Sequence, residues 1–185
     1  MYATNYMLQY QVAVKNQMQY GSCYQNALLS TIESELLQTG LAIGPLSRMQ
    51  SYYDTRELMY TVNEDSGSQS FLTLYAAKKY GIAPEDMWDY TTAHMYQKPP
   101  VEVYSEALNT RIATYTGIYN QGGTAEALRD KVLEVLSQGK SVVAGFHLRE
   151  YFYDQADKSL FNQKGSGDGD WIGGHAVQIV GYNSN

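Results

Sequence analysis

The chain carries one cysteine, Cys23, and three histidines among its 185 residues, so any sulfur nucleophile must be that one atom. A thiol attacks a carbonyl only as its thiolate, and a free cysteine with a pKa of about 8.5 is only a few per cent ionised at neutral pH. Part of what would hold the anion is written nearby. Gly21-Ser22 precedes apolar residues at Ala27, Leu28, Ile32, Leu36 and Leu37, a spacing that predicts a turn feeding a helix. Ser22 is then the predicted N-cap and Cys23 falls in the first turn, where unpaired backbone N–H groups and the helix dipole favour negative charge. A lone cysteine is by default a small buried hydrophobe, and only its surroundings single this one out.

Gln17 stands six positions before Cys23; taken alone it reads as a solvated polar residue. Among the histidines, His175 follows Gly173-Gly174 and opens Ala176-Val177-Gln178-Ile179-Val180, a β-branched run closed by Gly181. That pattern predicts a strand whose first residue, flanked by two glycines, can approach a neighbouring lobe closely. His94 reads as a loop residue and His147, in the Ser141–Leu148 run, as an ordinary strand side chain.

Residues Val14 to Ala27, VKNQMQYGSCYQNA, and Gly173 to Tyr182, GGHAVQIVGY, resemble the cysteine and histidine settings of the papain-like cysteine peptidases. Further segments resemble prokaryotic and viral members in the same order: Leu46-Ser47, Glu64-Asp65-Ser66-Gly67, Lys78 to Ile82 with Trp88 and Tyr90 following, and Pro99-Pro100. The resemblance spans roughly residues 10 to 183. It implies an α+β fold, with a helical lobe over about 12–110, an antiparallel β lobe over about 111–185, and an active-site cleft between them.

It also implies roles. Cys23 would be the nucleophile, His175 its general acid and base, and Gln17 an oxyanion donor together with the Cys23 backbone N–H. Ser66, Gly67 and Gly174 would line the cleft and bind an extended peptide by main-chain pairing. No cofactor is implied, and the expected partner is a peptide or protein substrate.

Two positions depart from the family pattern. Family members usually orient the histidine with an asparagine more than a dozen residues after it, whereas Asn185 stands ten positions past His175. Asn183 is no direct replacement, because eight extended residues at about 3.3 Å each would carry it roughly 26 Å away unless the chain turns back. The second departure is Tyr20, where secreted relatives usually have a disulfide-bonded cysteine; with a single cysteine no bridge within the chain can form. With only twenty-two residues before Cys23, no inhibitory pro-segment is expected. Three readings follow: an active endopeptidase, a retained structural or docking module in a larger assembly or one completed by a C-terminal segment, and Cys–His chemistry redirected to another acyl transfer.

Composition narrows the field. A length of 185 residues with 44% hydrophobic content suits one compact unit. A net charge of −6 argues against a nucleic-acid partner, which needs clustered Lys and Arg. No run approaches the roughly 20 apolar residues of a membrane span, and a single cysteine suits a reducing compartment or a virion assembled in one. Eighteen tyrosines suit half-buried sites and interfaces. In GSGDGDWIGG, Asp168 and Asp170 lack the rest of a calcium loop, so no metal is expected and a glycine-rich hairpin loop is predicted. Trp171 is a candidate rim or shield for His175.

Helices are predicted over about 22–39, 47–59 and 69–80, the last with Gly81 beyond its end, and over Val101 to Leu108. Strand-like Arg111 to Tyr119 leads through Gln121-Gly122-Gly123 to a helix capped by Thr124 and running to Gln138. Ser141–Leu148 and His175–Tyr182 are predicted as adjacent strands joined by a long loop.

Overall fold

The computed structural model describes residues 5–41, 43–119, 122–154 and 169–183. Seven helices and four strands appear among them in the order β1 (Asn5–Met7), α1 (Cys23–Gln38), α2 (Arg48–Met59), α3 (Ser70–Lys79), α4 (Thr92–Met95), α5 (Val101–Ala107), α6 (Ala125–Ser137), β2 (Val142–Arg149), α7 (Tyr151–Asp154), β3 (Trp171–Ile179) and β4 (Gly181–Asn183). The fold is α+β, with helices through the first two thirds and antiparallel strand pairs concentrated after them. No described helix is long and apolar enough to cross a membrane.

Local chemistry sets the helix ends. The Ser47 hydroxyl accepts the Gln50 N–H at 3.1 Å to start α2, and the Thr124 hydroxyl accepts the Ala127 N–H at 3.2 Å to start α6. Beyond α3, Gly81 adopts φ +76° and its absent side chain matters, since a Cβ there would lie 1.9 Å from the Ala107 carbonyl oxygen.

Two apolar clusters hold α1 to α5 together. One joins Tyr20, Met49, Tyr52, Ala83, Trp88, Tyr90, Met95, Val103 and Ala107; the other joins Leu28, Leu29, Leu46, Ala77 and Ile82, with Val143 of β2 packed against it. Each fully buried side chain of this size contributes roughly 1.5–3 kcal/mol relative to exposure.

In the second part β2 and β3 pair antiparallel, with Phe146 opposite His175 and Val142 opposite Ile179, and a bulge between Leu148 and Arg149. β1 pairs antiparallel with β4, Asn5 opposite Asn183. The predicted strand 175–182 is therefore two strands that part at Val180 and take different partners. β3 also begins earlier than expected, at Trp171, because Gly173 and Gly174 are paired with Leu148 and His147 rather than looped out. The bulge accommodates Gly173 at φ +154°.

Three local expectations fail. Arg111 to Tyr119 forms no strand; it has no ladder partner among the described residues, and a strand without a partner is not stabilised. Ser22 occupies the N-cap position of α1 without a capping bond, because its buried hydroxyl is engaged elsewhere. His94 lies in α4, not a loop, with its ring stacked on Trp88 at 3.8 Å and Nδ1 paired with Asp89 at 2.5 Å. His147 is a strand residue as expected, edge-on to Trp171. Gln121 and Asp168 lie outside the described residues, as does most of the predicted 149–174 loop.

Candidate active site

Cys23 is the first residue of α1 and is half-buried. Its N–H is one of the helix-start donors with no partner inside the helix. Gln17 sits in a tight turn before it. The Gln17 side-chain amide donates to the Tyr20 carbonyl at 2.9 Å, and the Gln17 carbonyl accepts the Tyr20 N–H at 3.4 Å. Met18, inside this turn, is held at φ +56°, a conformation that side-chain-bearing residues adopt only when neighbours enforce it. Asn16 helps by accepting the Met18 N–H at 2.8 Å.

The Ser66-Gly67 segment is brought directly against this turn. A Cβ on Gly21 would sit 2.9 Å from the Gly67 Cα, so only glycine allows the two backbones to approach so closely. Asp65 fastens the contact: its carboxylate accepts the Gly21 N–H at 2.9 Å and the Tyr52 hydroxyl. Tyr52 in turn accepts the Gly67 N–H at 3.1 Å, and its ring lies 4.1 Å beneath the buried Arg56 guanidinium. Arg56 donates to the carbonyls of Val62, Glu64 and Met95, fixing the loop's approach. Burial pushes the Tyr52 phenol well above its usual range, with the Asp65 hydrogen bond adding to the effect, so it stays neutral. Ser68 reaches back to the fully buried Gln25 of α1 at 3.2 Å.

Tyr20, next to Gly21, packs against the Tyr90–Thr92 segment. Its hydroxyl bonds Thr92 and its ring stands edge-on to Tyr90 at 5.5 Å. The neighbour of Cys23, Tyr24, has its phenol pushed up to about 12 by burial, then by the nearby hydroxyls of Tyr119 and Tyr115. Tyr115 and Tyr119 thus lie near the first turn of α1.

His175 lies on β3, half-buried between two phenyl rings: Phe146 edge-on at 5.9 Å and Phe152 at 6.0 Å. Burial lowers its pKa, favouring the neutral ring. Among the described residues, neither the imidazole nor the Cys23 thiol takes part in a hydrogen bond, with each other or with a third group. Trp171 does not lie over His175; its ring meets Arg149 at 3.9 Å and His147 at 5.5 Å. Gly174 is exposed and opposite His147. Asn183 is in β4, and Asp170 is tied through its backbone to Glu150. No cluster of three or more metal-ligating side chains occurs among the described residues.

Three contacts orient the strand pair on α1. Gln38, at the end of α1, donates to the Gly139 carbonyl just before β2. Four residues back along the helix, the Ser34 hydroxyl accepts from Gln178 of β3 at 3.3 Å, and Gln178 also donates to Ser141 at 3.0 Å. Further back still, Val143 packs on the cluster containing Leu28 and Leu29. β2 therefore runs toward the N-terminus of α1, and the antiparallel β3 runs with α1. From the Gln178–Ser34 contact, His175 is set back about 10 Å and Cys23 about 16 Å in the same sense, an axial offset of about 6 Å.

Comparison with known proteins fits this geometry. No protein-family model matches the chain. It is 32% identical over 169 residues to an uncharacterized peptidase C1-like protein of Acanthamoeba polyphaga mimivirus, a match covering 89% of this chain and 54% of that protein. Xylellain, a cysteine protease from Xylella fastidiosa, superposes with a TM-score of 0.89 at 25% identity, covering 100% of this chain and 71% of xylellain. The chain has the fold of the papain-like cysteine peptidases and is similar to them in sequence. Bromelain from Ananas comosus, solved with the inhibitor E64, has the same fold at a TM-score of 0.72 and 17% identity, over 98% of this chain and 76% of bromelain. The chain spans about half the length of the viral relative it matches.

The sequence offers Cys23, His175 and Ser66-Gly67 as candidates but gives no sign of Tyr52, Arg56 and Asp65 as the fastening of that loop. Asp65 was visible only as part of a turn, and nothing in a single sequence connects Gly21 to a carboxylate forty-four residues on.

Proposed function

We propose that this papain-like chain is an active cysteine endopeptidase with Cys23 as nucleophile, His175 as general acid and base, and Gln17 as oxyanion donor. The observation that carries the reading is the direction of β3 along α1, which turns the Trp171 end of the strand toward the N-terminal, Cys23 end of the helix with His175 at mid-strand. In the reaction, the Cys23 thiolate adds to the scissile carbonyl carbon. The oxyanion formed takes hydrogen bonds from the Cys23 N–H and the free N–H of the Gln17 amide. Collapse expels the amine, which leaves with the proton of His175. Water, giving a proton to His175, then hydrolyses the thioester and regenerates the thiolate.

An extended peptide would lie along Ser66-Gly67 on one wall, pairing with its backbone, with Gly174 leaving room on the other. Phe146 and Phe152 flank the imidazole and restrict its rotation.

The test is labelling with an epoxide-type thiol inhibitor near neutral pH. Selective modification of Cys23, much faster than that of free cysteine and lost in His175→Ala, is the expected result. Reactivity no faster than free cysteine's, together with no hydrolysis of peptide substrates, overturns the proposal. A second reading, a docking module without turnover, is favoured by one observation: the aromatic burial that lowers the His175 pKa opposes the imidazolium of a resting ion pair. It predicts that Cys23→Ala keeps the biological role, and loss of that role in a folded variant excludes it.

A further inference from the structure

We propose that Tyr90 is a positioning residue whose single hydroxyl sets the oxyanion donor Gln17 in register with the Cys23 turn. The inference rests on the peptidase reading above and adds to it a residue that touches neither substrate nor sulfur.

The hydrogen-bond directions can be worked out from donor capacity. The Tyr90 hydroxyl lies 2.9 Å from the Gln17 carbonyl oxygen, which can only accept, so the one phenolic proton goes there. The contact between Tyr90 and the fully buried Ser22 hydroxyl must then carry the Ser22 proton to the Tyr90 oxygen. Ser22 receives in its turn from the Asn26 side-chain amide at 3.2 Å. Protons thus all point one way, from Asn26 through Ser22 and Tyr90 to Gln17, an arrangement in which each bond polarises the next. Ser22 is the residue before the nucleophile, so one oxygen atom bridges the two backbone segments whose spacing defines the oxyanion hole.

The surroundings hold that oxygen still. Arg48 lies 3.9 Å over the Tyr90 ring, is itself fixed by a bidentate pair with Glu85, and donates at 3.1 Å to both the Asn16 carbonyl and the Asn26 side chain. The Tyr20 ring closes the other side. The same network also accounts for why Ser22 does not cap α1: its hydroxyl is committed to Tyr90. The left-handed Met18 lies in the turn that this network pins at Asn16, Gln17 and Tyr20, so loss of the Tyr90 proton frees a strained turn to relax.

Tyr90→Phe removes only the hydroxyl and keeps the ring between Arg48 and Tyr20; Ser22→Ala removes the other side of the bridge and serves if the phenylalanine variant does not fold. In the full chain, each is expected to lower kcat about tenfold on a peptide substrate with KM within twofold, and to raise amide hydrogen exchange across residues 16–22 about tenfold while α2 stays protected. In a Gln17→Ala background Tyr90→Phe is expected to add less than a twofold loss. An equal tenfold loss in that background, or no change in exchange across 16–22, overturns the proposal. A native chain that hydrolyses nothing, while Tyr90→Phe still loosens 16–22, refutes the peptidase reading and leaves the Tyr90 bridge standing.

Discussion

In the helical part that carries Cys23, large polar side chains are buried with partners: Gln25 and Arg56 are fully buried and Asp54 is 1% exposed, and all three are hydrogen bonded. The strand pair that carries His175 buries only Leu148 and Ala176. One wall of the cleft is thus held by a dense polar and aromatic network, the other by a two-stranded ladder resting on α1 and a pair of phenyl rings. A partner whose backbone is fixed to a few tenths of an ångström can preorganise an oxyanion hole. A lightly buried strand opens at lower free energy, and on the proposed reading that freedom lets His175 reach the sulfur as substrate binds.

The largest effect expected on this contrast is loss of the nucleophile. Cys23→Ala should abolish peptide hydrolysis, a fall of about a millionfold in well-studied serine enzymes, while leaving the thermal midpoint within a few degrees; residual turnover of more than a percent would place the chemistry elsewhere. His175→Ala should cost about a thousandfold or more and remove the pH dependence of Cys23 alkylation below pH 7.

The two walls should also titrate differently. Burial lowers the His175 pKa, so in Cys23→Ala its NMR titration is expected below the ordinary 6.5, and above that value in the native chain if a thiolate sits opposite. The sign for stability follows: with the folded pKa depressed, a neutral His175 contributes stability at high pH that is lost as pH falls through that folded value.

Gly21→Ala should push Gly67 away from the nucleophile turn, lowering stability by about 1–3 kcal/mol and raising KM several-fold with a smaller change in kcat. Equal falls in both would mean that the loop does not bind substrate.

The smallest effect concerns Asp54, beneath Tyr104 and Gln50 on the rigid wall. Burial raises its pKa from 3.8 to about 7. A raised folded pKa means stability present below about 4 and lost as pH rises through 7. Asp54→Asn should flatten that slope and raise the midpoint by a few degrees at pH 8; an unchanged slope would mean that Asp54 is ionised at neutral pH.

What the sequence disclosed and what it hid follow the range of the interactions. Ser47, Thr124 and Gly81 mark helix ends through bonds spanning three or four residues, and α2, α3 and α6 appear where they were predicted. Arg111 to Tyr119 has strand composition, but strand formation depends on a partner that composition does not name. Ser22 has capping chemistry and was diverted by Tyr90, sixty-eight residues away. Cys23, Gln17 and His175 stand out as candidates because their neighbours resemble a family pattern. The ties that hold them, from Asp65 to Gly21 and from Tyr90 to Gln17, join positions with no sequence periodicity in common.

The joint between Gly21 and the Asp65 loop has a practical corollary. A disulfide could hold such a joint only in an oxidising milieu, while a thiolate nucleophile needs the opposite. Here the fastening is carboxylate, phenol and amide, indifferent to redox potential. Dithiothreitol strong enough to keep Cys23 permanently armed should leave the melting curve where it was.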